Sequence, residues 1–489
     1  MGIRRRLLAV CCAVALFSGV GGATSSSSNA VELPVLSSGV DLVMNIPDLA
    51  AISVSFDPRR PLMFASTLHG LDVYDISDPA LPVIVGAVPM LMYQNEDVNL
   101  GAASRRSDGR SFVLMGTDLV GAVTPTDPAR SDVVPAQEGF VQHLYVIDVT
   151  DPAAPFIRSD LATKGLTHTI SCINPACTYA YTAGDLKRFT VIDLRNLDRP
   201  REVKTIADPW GWHDWNVDAS GIAWKSGDFG TAAFDVRDPL NPKVLNTSDR
   251  NGVVGSPWNS FILHNTERPN ARKLPMGARA KRGTPSVFDG NVLLVAEENL
   301  QSGPCQEEPS FQTWYVPSLT KYDNPRNLKA MGSIRPLDRW RSTFLDTDDP
   351  APAAVECSAH YFDFHQSGFV TQAWYHHGIR ILDVRDARNI KQVGYFVTQT
   401  QVAWSAYWVP KRDKAGRVVL GKDGTPVDTN LMYSVDAARG LDVLRVSLPK
   451  TSSAKTRDVP SPPLPDWLQA PRAAAVSRET IPNFLCRIR

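Results

Sequence analysis

A short motif returns again and again along this chain, and that recurrence constrains the fold more than any other feature. The stretch "GLDVYDISDPALPVIVG" (Gly70 to Gly86) comes back as "HLYVIDVTDPAAP" from His143, "FTVIDLRNLDRP" from Phe189, "GTAAFDVRDPLNP" from Gly230 and "GIRILDVRDARNIKQVG" from Gly378. Weaker copies are "GLDVLRVSLP" from Gly440 and "NPRNLKAMG" (Asn324 to Gly332), which keeps only the tail, so seven units result. In the strong copies an alternating β-branched run ends in Asp75, Asp148, Asp193, Asp235 or Asp383, usually followed by Asp-Pro and a second proline. An aspartate there can accept hydrogen bonds from turn amides, and proline ends strand pairing, so each motif reads as strand, turn, strand. Structure alone accounts for these aspartates, and no catalytic role is assigned to them.

Each motif leaves room upstream for two more strands, such as "THTISCI" and "CTYAYTAG" before "FTVIDL". Four-stranded units at intervals of 45 and 42 residues (Asp148 to Asp193 to Asp235) are the signature of a β-propeller, whose blades bury their faces on one another. The expected fold is therefore all-β, a seven-bladed propeller spanning residues 31–448. The last unit lacks an outer strand after "GLDVLRVS", whereas "VDLVMNI" (Val40 to Ile46) resembles an outer-strand segment and precedes the first inner strand. This N-terminal strand is expected to complete the last blade. Residues 449–489, rich in proline, form a tail expected to wrap the surface or stay partly loose.

The cores "YVIDV" and "TVIDL" resemble the LVIVD-repeat family, exported bacterial and archaeal proteins with a propeller fold. The resemblance runs through nearly the whole mature chain. It implies the fold and an exported location but no settled reaction.

The N-terminus reads as an export signal within residues 1–30: Arg4, Arg5 and Arg6, an apolar run from Leu7 to Val20, then small residues with a cut after Ala23 or Ala30. The run is too short to span a membrane comfortably, so no transmembrane segment is expected once it is removed. Removal leaves Cys172, Cys177, Cys305, Cys357 and Cys486. "CINPAC" suits a tight Cys172–Cys177 bridge, and Cys305–Cys357 is a second pairing, although connectivity does not follow from sequence and five inert thiols are the alternative. Charge balances at 51 basic and 51 acidic residues, which removes the electrostatic argument for a nucleic-acid partner.

Counting back from the motif aspartates places His213 22 residues before Asp235, His360 23 before Asp383 and His168 25 before Asp193, which are equivalent positions. "FILHN" offers His264 at the same kind of strand start, and "NEDVN" offers Glu96 and Asp97; the first and seventh units have Ser53, Trp404 and Ser405. The innermost strands of a propeller converge, so these residues are expected around the mouth of the central channel. Four imidazoles with nearby carboxylates form a ligand set for zinc, copper or iron. The alternative is that they hydrogen-bond water and backbone, and a wide ring holds them too far apart for one ion. His69, His143, His365, His376 and His377 read as surface or satisfied polar residues. Trp212, Trp258, Trp404 and Tyr407 either fill space between blades or line a ligand pocket.

Two charged stretches, "RPNARKLPMGARAKRG" and "AEENLQSGPCQEEP", read as solvated loops, unless the first overhangs the channel and steers an anion. No nucleophile elbow, zinc-protease helix, Walker A loop, dinucleotide fingerprint or haem-attachment pair is present. Two functional classes lead, with a third, sugar recognition by the aromatic residues, needing an open groove. The first is an exported propeller holding a metal ion or small ligand, acting as a hydrolase or oxidoreductase if catalytic; the second is a non-catalytic scaffold for an extracellular protein or polymer.

Overall fold

A computed structural model describes residues 34–47, 51–67, 70–90, 96–101, 110–117, 142–184, 187–208, 213–281, 283–299, 309–320, 332–344, 358–398, 403–437, 439–449 and 455–463. The signal segment, Trp212, Cys305, Cys357, Cys486, His69 and most of the C-terminal tail lie outside them. Seven sheets are present, each built on four antiparallel strands. Six are contiguous in sequence: Ala51–Pro89, Asn99–Ala162, Thr169–Ala207, Asp214–Thr247, Ile262–Trp340 and Ala359–Val397. The seventh takes three strands from Ala403–Val446 and its fourth from Val40–Ile46. That strand runs antiparallel to Gly440–Val446, with Val40 opposite Val446 and Ile46 opposite Leu441, so the ring closes as the sequence implies. A two-residue strand, Val35–Leu36, adds a fifth member to the sixth blade.

The repeat motif has the local chemistry expected of it. Asp75, Asp148, Asp193, Asp235 and Asp383 each accept a hydrogen bond from the backbone amide two residues on, at 2.7 to 3.1 Å. Three positions further, Asp78, Asp151, Asn196, Asp238 and Asp386 repeat the same turn, at 3.0 to 3.1 Å. Two consecutive side-chain-closed turns thus carry the chain from the third strand to the outer one in each strong repeat. Where arginine stands two residues after the first aspartate, at Arg195, Arg237 and Arg385, it forms an ion pair with that aspartate.

The core consists of layers between blades. Leu62, Phe64, Leu71 and Val73 of the first blade meet Val113, Met115, Ile147 and Val149 of the second. The other face of the first blade, with Val54, Met63 and Tyr74, packs on Tyr433, Val435 and Val443 of the seventh. Each fully buried large apolar side chain contributes about 1.5–3 kcal/mol relative to exposure, so no blade is stable without its neighbours. One polar tie crosses the fourth and fifth blades. Arg268 donates through Nε to Asp218 (2.8 Å), through Nη1 to the carbonyls of Leu274 and Gly290 (2.9 Å each) and through Nη2 to Ser220 (2.8 Å), with a further Nη2–Asp218 contact at 2.6 Å.

Cys172 and Cys177 form a disulfide between the first two strands of the third blade. The described part of the tail, residues 455–463, lies against the sixth blade: the Val459 amide donates to the Gln392 carbonyl (2.8 Å) and Thr456 to Asp383 (2.5 Å). Among the described residues no helix is long and apolar enough to cross a membrane.

Candidate metal centre

The inner strands of neighbouring blades stand side by side around one axis. His168 and His213 immediately precede the inner strands Thr169–Cys172 and Asp214–Val217, while His264 and His360 lie within Ile262–Glu267 and Ala359–His365. Their equivalence in the repeats therefore becomes proximity. The Nε2 atoms of His168 and His213 are 3.1 Å apart, and the His213–His264 and His264–His360 ring centroids are each 4.0 Å apart.

Glu96, just before the inner strand of the second blade, inserts its carboxylate among all four rings. Its Oε2 lies 3.1 Å from His168 Nε2, 3.8 Å from His213 Nε2 and 3.6 Å from His264 Nε2, and its Oε1 lies 3.5 Å from His360 Nε2. A second carboxylate, Glu298, approaches His213 at 3.3 Å and His264 and His360 at 3.7 Å. Its other partner is Tyr375, whose hydroxyl donates to Glu298 Oε1 at 2.6 Å. All six side chains are buried. Glu298 departs from the sequence reading, which put it in a solvated acidic loop. It ends the strand Val292–Glu298, where alternation aims Glu297 at Ser310 and the amide of Phe261, and Glu298 inward.

Burial works against charge on these groups. It pushes His213 well below the usual imidazole range, helped by the neighbouring His168, and takes His264 down to about 3, helped by His360 and His213. It also raises Glu298 against the pull of His264 and His360. At Glu96 burial acts upward too, but His168 and His360 reverse it and hold the carboxyl well below its ordinary value. Burial thus favours the neutral form of His213 and His264, and the neighbouring rings favour the ionised form of Glu96, the forms in which these groups ligate a transition metal. His360 Nδ1 donates to the Trp404 carbonyl at 2.7 Å, which leaves the Nε2 lone pair facing the carboxylates. His264 Nε2, His360 Nε2 and Glu298 Oε2 are buried without a hydrogen bond. Three sets of ligand atoms each lie within 4.8 Å of one another: Glu96–His168–His213, Glu96–His264–His360 and His213–His264–Glu298. These residues fit a transition-metal ion; the spacing of about 3–4 Å that tetrahedral coordination needs is already present.

The other candidate residues separate by position. Asp97 is not in the cluster: it accepts from Ser171 at 2.9 Å and lines a cavity beside it. Tyr407 lines the same cavity. Trp404 is buried against His360, with centroids 4.7 Å apart, and Trp258 donates to Gln312 at 3.1 Å beneath the Arg339 guanidinium. Neither tryptophan lines the cavity. The cluster, expected around the mouth of the central channel, is buried, with the carboxylates of Glu96 and Glu298 among the rings. The cavity, of about 1670 Å³, lies toward the far ends of the inner strands, and Glu96 belongs to its wall. Of the basic stretch, Arg268, Arg272 and Lys273 reach that wall. His143, His365 and His377 each bond locally through Nδ1, to Asp160, Ser367 and Ser342, while Nε2 of His365 is buried without a hydrogen bond.

Comparison with known proteins agrees with this architecture. The family model for the LVIVD repeat matches residues 65–89, the second and third strands and outer strand of the first blade. The chain is a β-propeller that carries an LVIVD repeat in its first blade. Among solved structures, the chain is similar to the β-propeller domain of Cps50 (Swd1) from Myceliophteria thermophila, with a TM-score of 0.50 and 11% identity. That match covers 83% of this chain and 100% of the other, and it carries the fold alone. No curated protein matches the sequence.

Proposed function

We propose that this LVIVD-repeat propeller is an exported protein that binds a divalent transition-metal ion (zinc, copper or iron) at one end of its central channel. His168, His213, His264 and His360 supply imidazole nitrogens, and Glu96 and Glu298 supply carboxylate oxygens. The observation that carries the reading is the convergence of four buried imidazole Nε2 atoms on the Glu96 carboxylate, within 3.1 to 3.8 Å. A buried carboxylate among four rings is costly as a structural device and useful as a ligand set. When bound, the ion would supply Lewis-acid chemistry or, as copper or iron, redox chemistry. The chain's own contribution is to fix the imidazole tautomer through the Trp404 carbonyl, to orient Glu298 through Tyr375 and to hold water away from the rings. Export rests on the N-terminal segment of residues 1–30, the family resemblance and the Cys172–Cys177 disulfide.

A second reading, a docking scaffold at the cell surface, is favoured by a different observation. Val83 and Ile84 on the outer strand of the first blade and Phe156 and Ile157 on that of the second are exposed. Elemental analysis of the purified chain and of a His213→Ala/His360→Ala variant separates the two. About one equivalent of zinc, copper or iron, lost in the variant, is expected. Absence of metal from the unaltered protein after supplementation refutes the metal reading and leaves partner capture through the outer strands as the next measurement.

A further inference from the structure

We propose that the cavity adjoining the histidine cluster is a binding site for a small organic cation, a protonated amine held by carboxylates at two levels. The inference goes beyond the metal site and does not depend on it. At the end shared with Glu96 the wall carries Asp97, Asp214 and Tyr361; further along it carries Glu267, Asp363 and Asp428. These acids come from the inner strands of the fourth, fifth and sixth blades, from Asp97 just before that of the second, and from Asp428, which begins the second strand of the seventh.

Charge balance decides the ligand class. Asp218, also on the wall, is neutralised by Arg268. Among the described residues none of the five acids forms an ion pair; their hydrogen bonds come from neutral donors. Asp97 accepts from Ser171, Asp214 from the Trp215 amide (2.7 Å), Glu267 from the Phe364 amide (3.1 Å) and Asp363 from the Trp408 amide (2.7 Å). Of the other basic residues on the wall, Arg237 is engaged with Asp235, Arg272 with the Ala219 carbonyl and Lys273 with the Phe288 carbonyl, while Lys422 is exposed beside Asp423. The energetic signature is consistent. Burial, reinforced by Asp363 for Glu267 and Asp428, raises Glu267 well above its usual value and Asp428 to about 9, and burial alone takes Asp363 to about 7. Such groups ionise when a cation is brought to them.

The second observation is Tyr361. Its ring packs edge-on against His264 and His360, at 4.6 and 4.9 Å, and its side chain faces the cavity nine-tenths buried, with 9% exposure. The hydroxyl has no hydrogen-bond partner and lies within the field of Asp214, Glu96 and Asp97. A buried hydroxyl beside carboxylates is an acceptor for an ammonium N–H, and aromatic rings tolerate the attached alkyl chain. A second inorganic ion is disfavoured, since ligand sets within 4.8 Å among the described residues are confined to the histidine cluster.

The test is calorimetric titration of the full chain with 1,5-diaminopentane at pH 7.5, beside the uncharged 1,5-pentanediol and calcium alone. Saturable diamine binding at least tenfold tighter than the diol is expected, weakened at least tenfold by Asp428→Asn and by Tyr361→Phe. The Asp428 variant is the safer one, because Asp363 also holds the Trp408 amide. Equal binding of diamine and diol, diamine binding unchanged in both variants, or displacement of the diamine by stoichiometric calcium overturns the proposal.

Discussion

The tie between Asp218 and Arg268 allows a sharp energetic prediction, for the substitution Asp218→Asn. All hydrogen-bonding directions of the guanidinium are occupied, and both side chains are buried, at 0% exposure for Arg268 and 2% for Asp218. Asp218 also accepts from Trp224 Nε1 (2.8 Å), the Ser220 amide (2.8 Å) and the Ser220 hydroxyl (2.6 Å). Asparagine preserves shape but removes the charge opposite a buried cation, and breaking one side of such a pair costs about 3–5 kcal/mol. That is a loss of roughly two to three and a half orders of magnitude in the folding equilibrium. Urea unfolding followed by tryptophan fluorescence reads it as a lower midpoint at unchanged slope. The double change Asp218→Leu/Arg268→Met, which removes both charges, is expected to recover at least half the loss. A cost below about 1 kcal/mol for Asp218→Asn would falsify the reasoning, because solvent or the carbonyls of Leu274 and Gly290 would then be balancing Arg268 without the carboxylate.

Four further outcomes are expected. Glu298→Gln and Tyr375→Phe should each lower metal affinity by about 10–100-fold, measured by competition with a chromogenic chelator, because one removes a donor and the other frees its orientation. Asp363 and Asp428 have folded pKa values raised above those of the unfolded chain, so the native state binds more protons; stability is full below about pH 4 on their account and falls as pH rises through about 7 and 9. Urea midpoints between pH 5 and 9 should show that decline, and Asp428→Asn should flatten it. Opening the Cys172–Cys177 loop by Cys→Ser replacement should cost roughly 2 kcal/mol in chemical denaturation. Gly70→Ala should destabilise by at least about 1–2 kcal/mol in thermal melts, since φ there is +130° and an added Cβ would meet the Val88 carbonyl oxygen at 2.0 Å.

The architecture was legible because each blade spells its turn in the same letters. Asp75, Asp148, Asp193, Asp235 and Asp383 mark one structural place, so counting back from them found His168, His213 and His360, and strand context found His264 and Glu96. Glu298 was hidden for a different reason: it lies on a second strand, which counting back to the starts of first strands does not reach, and it sits in a run of acids. A usable signal exists. Antiparallel pairing sets the end of the second strand opposite the start of the first, as with Ile262 and Glu298 or Ala403 and Asp436. Polar residues at the ends of second strands therefore deserve the same scrutiny as those at the starts of first strands. Depth was not legible either. Repeat spacing shows that side chains share a level around the axis, but whether that level is open or sealed depends on what fills the middle, and here Glu96 and Glu298 do.

Because Val40–Ile46 must pair with Gly440–Val446, a strand synthesised before the six contiguous blades waits for one synthesised after them. Until then six blades can stack only as an open arc with a bare edge at each end, where unpaired strands and apolar faces invite association with another chain. The joint acts as a clock on folding. A circular permutant that places Val40–Ile46 directly after Val446 would make the seventh blade local in sequence, and it should reach the same fold faster and with less aggregation than the natural order.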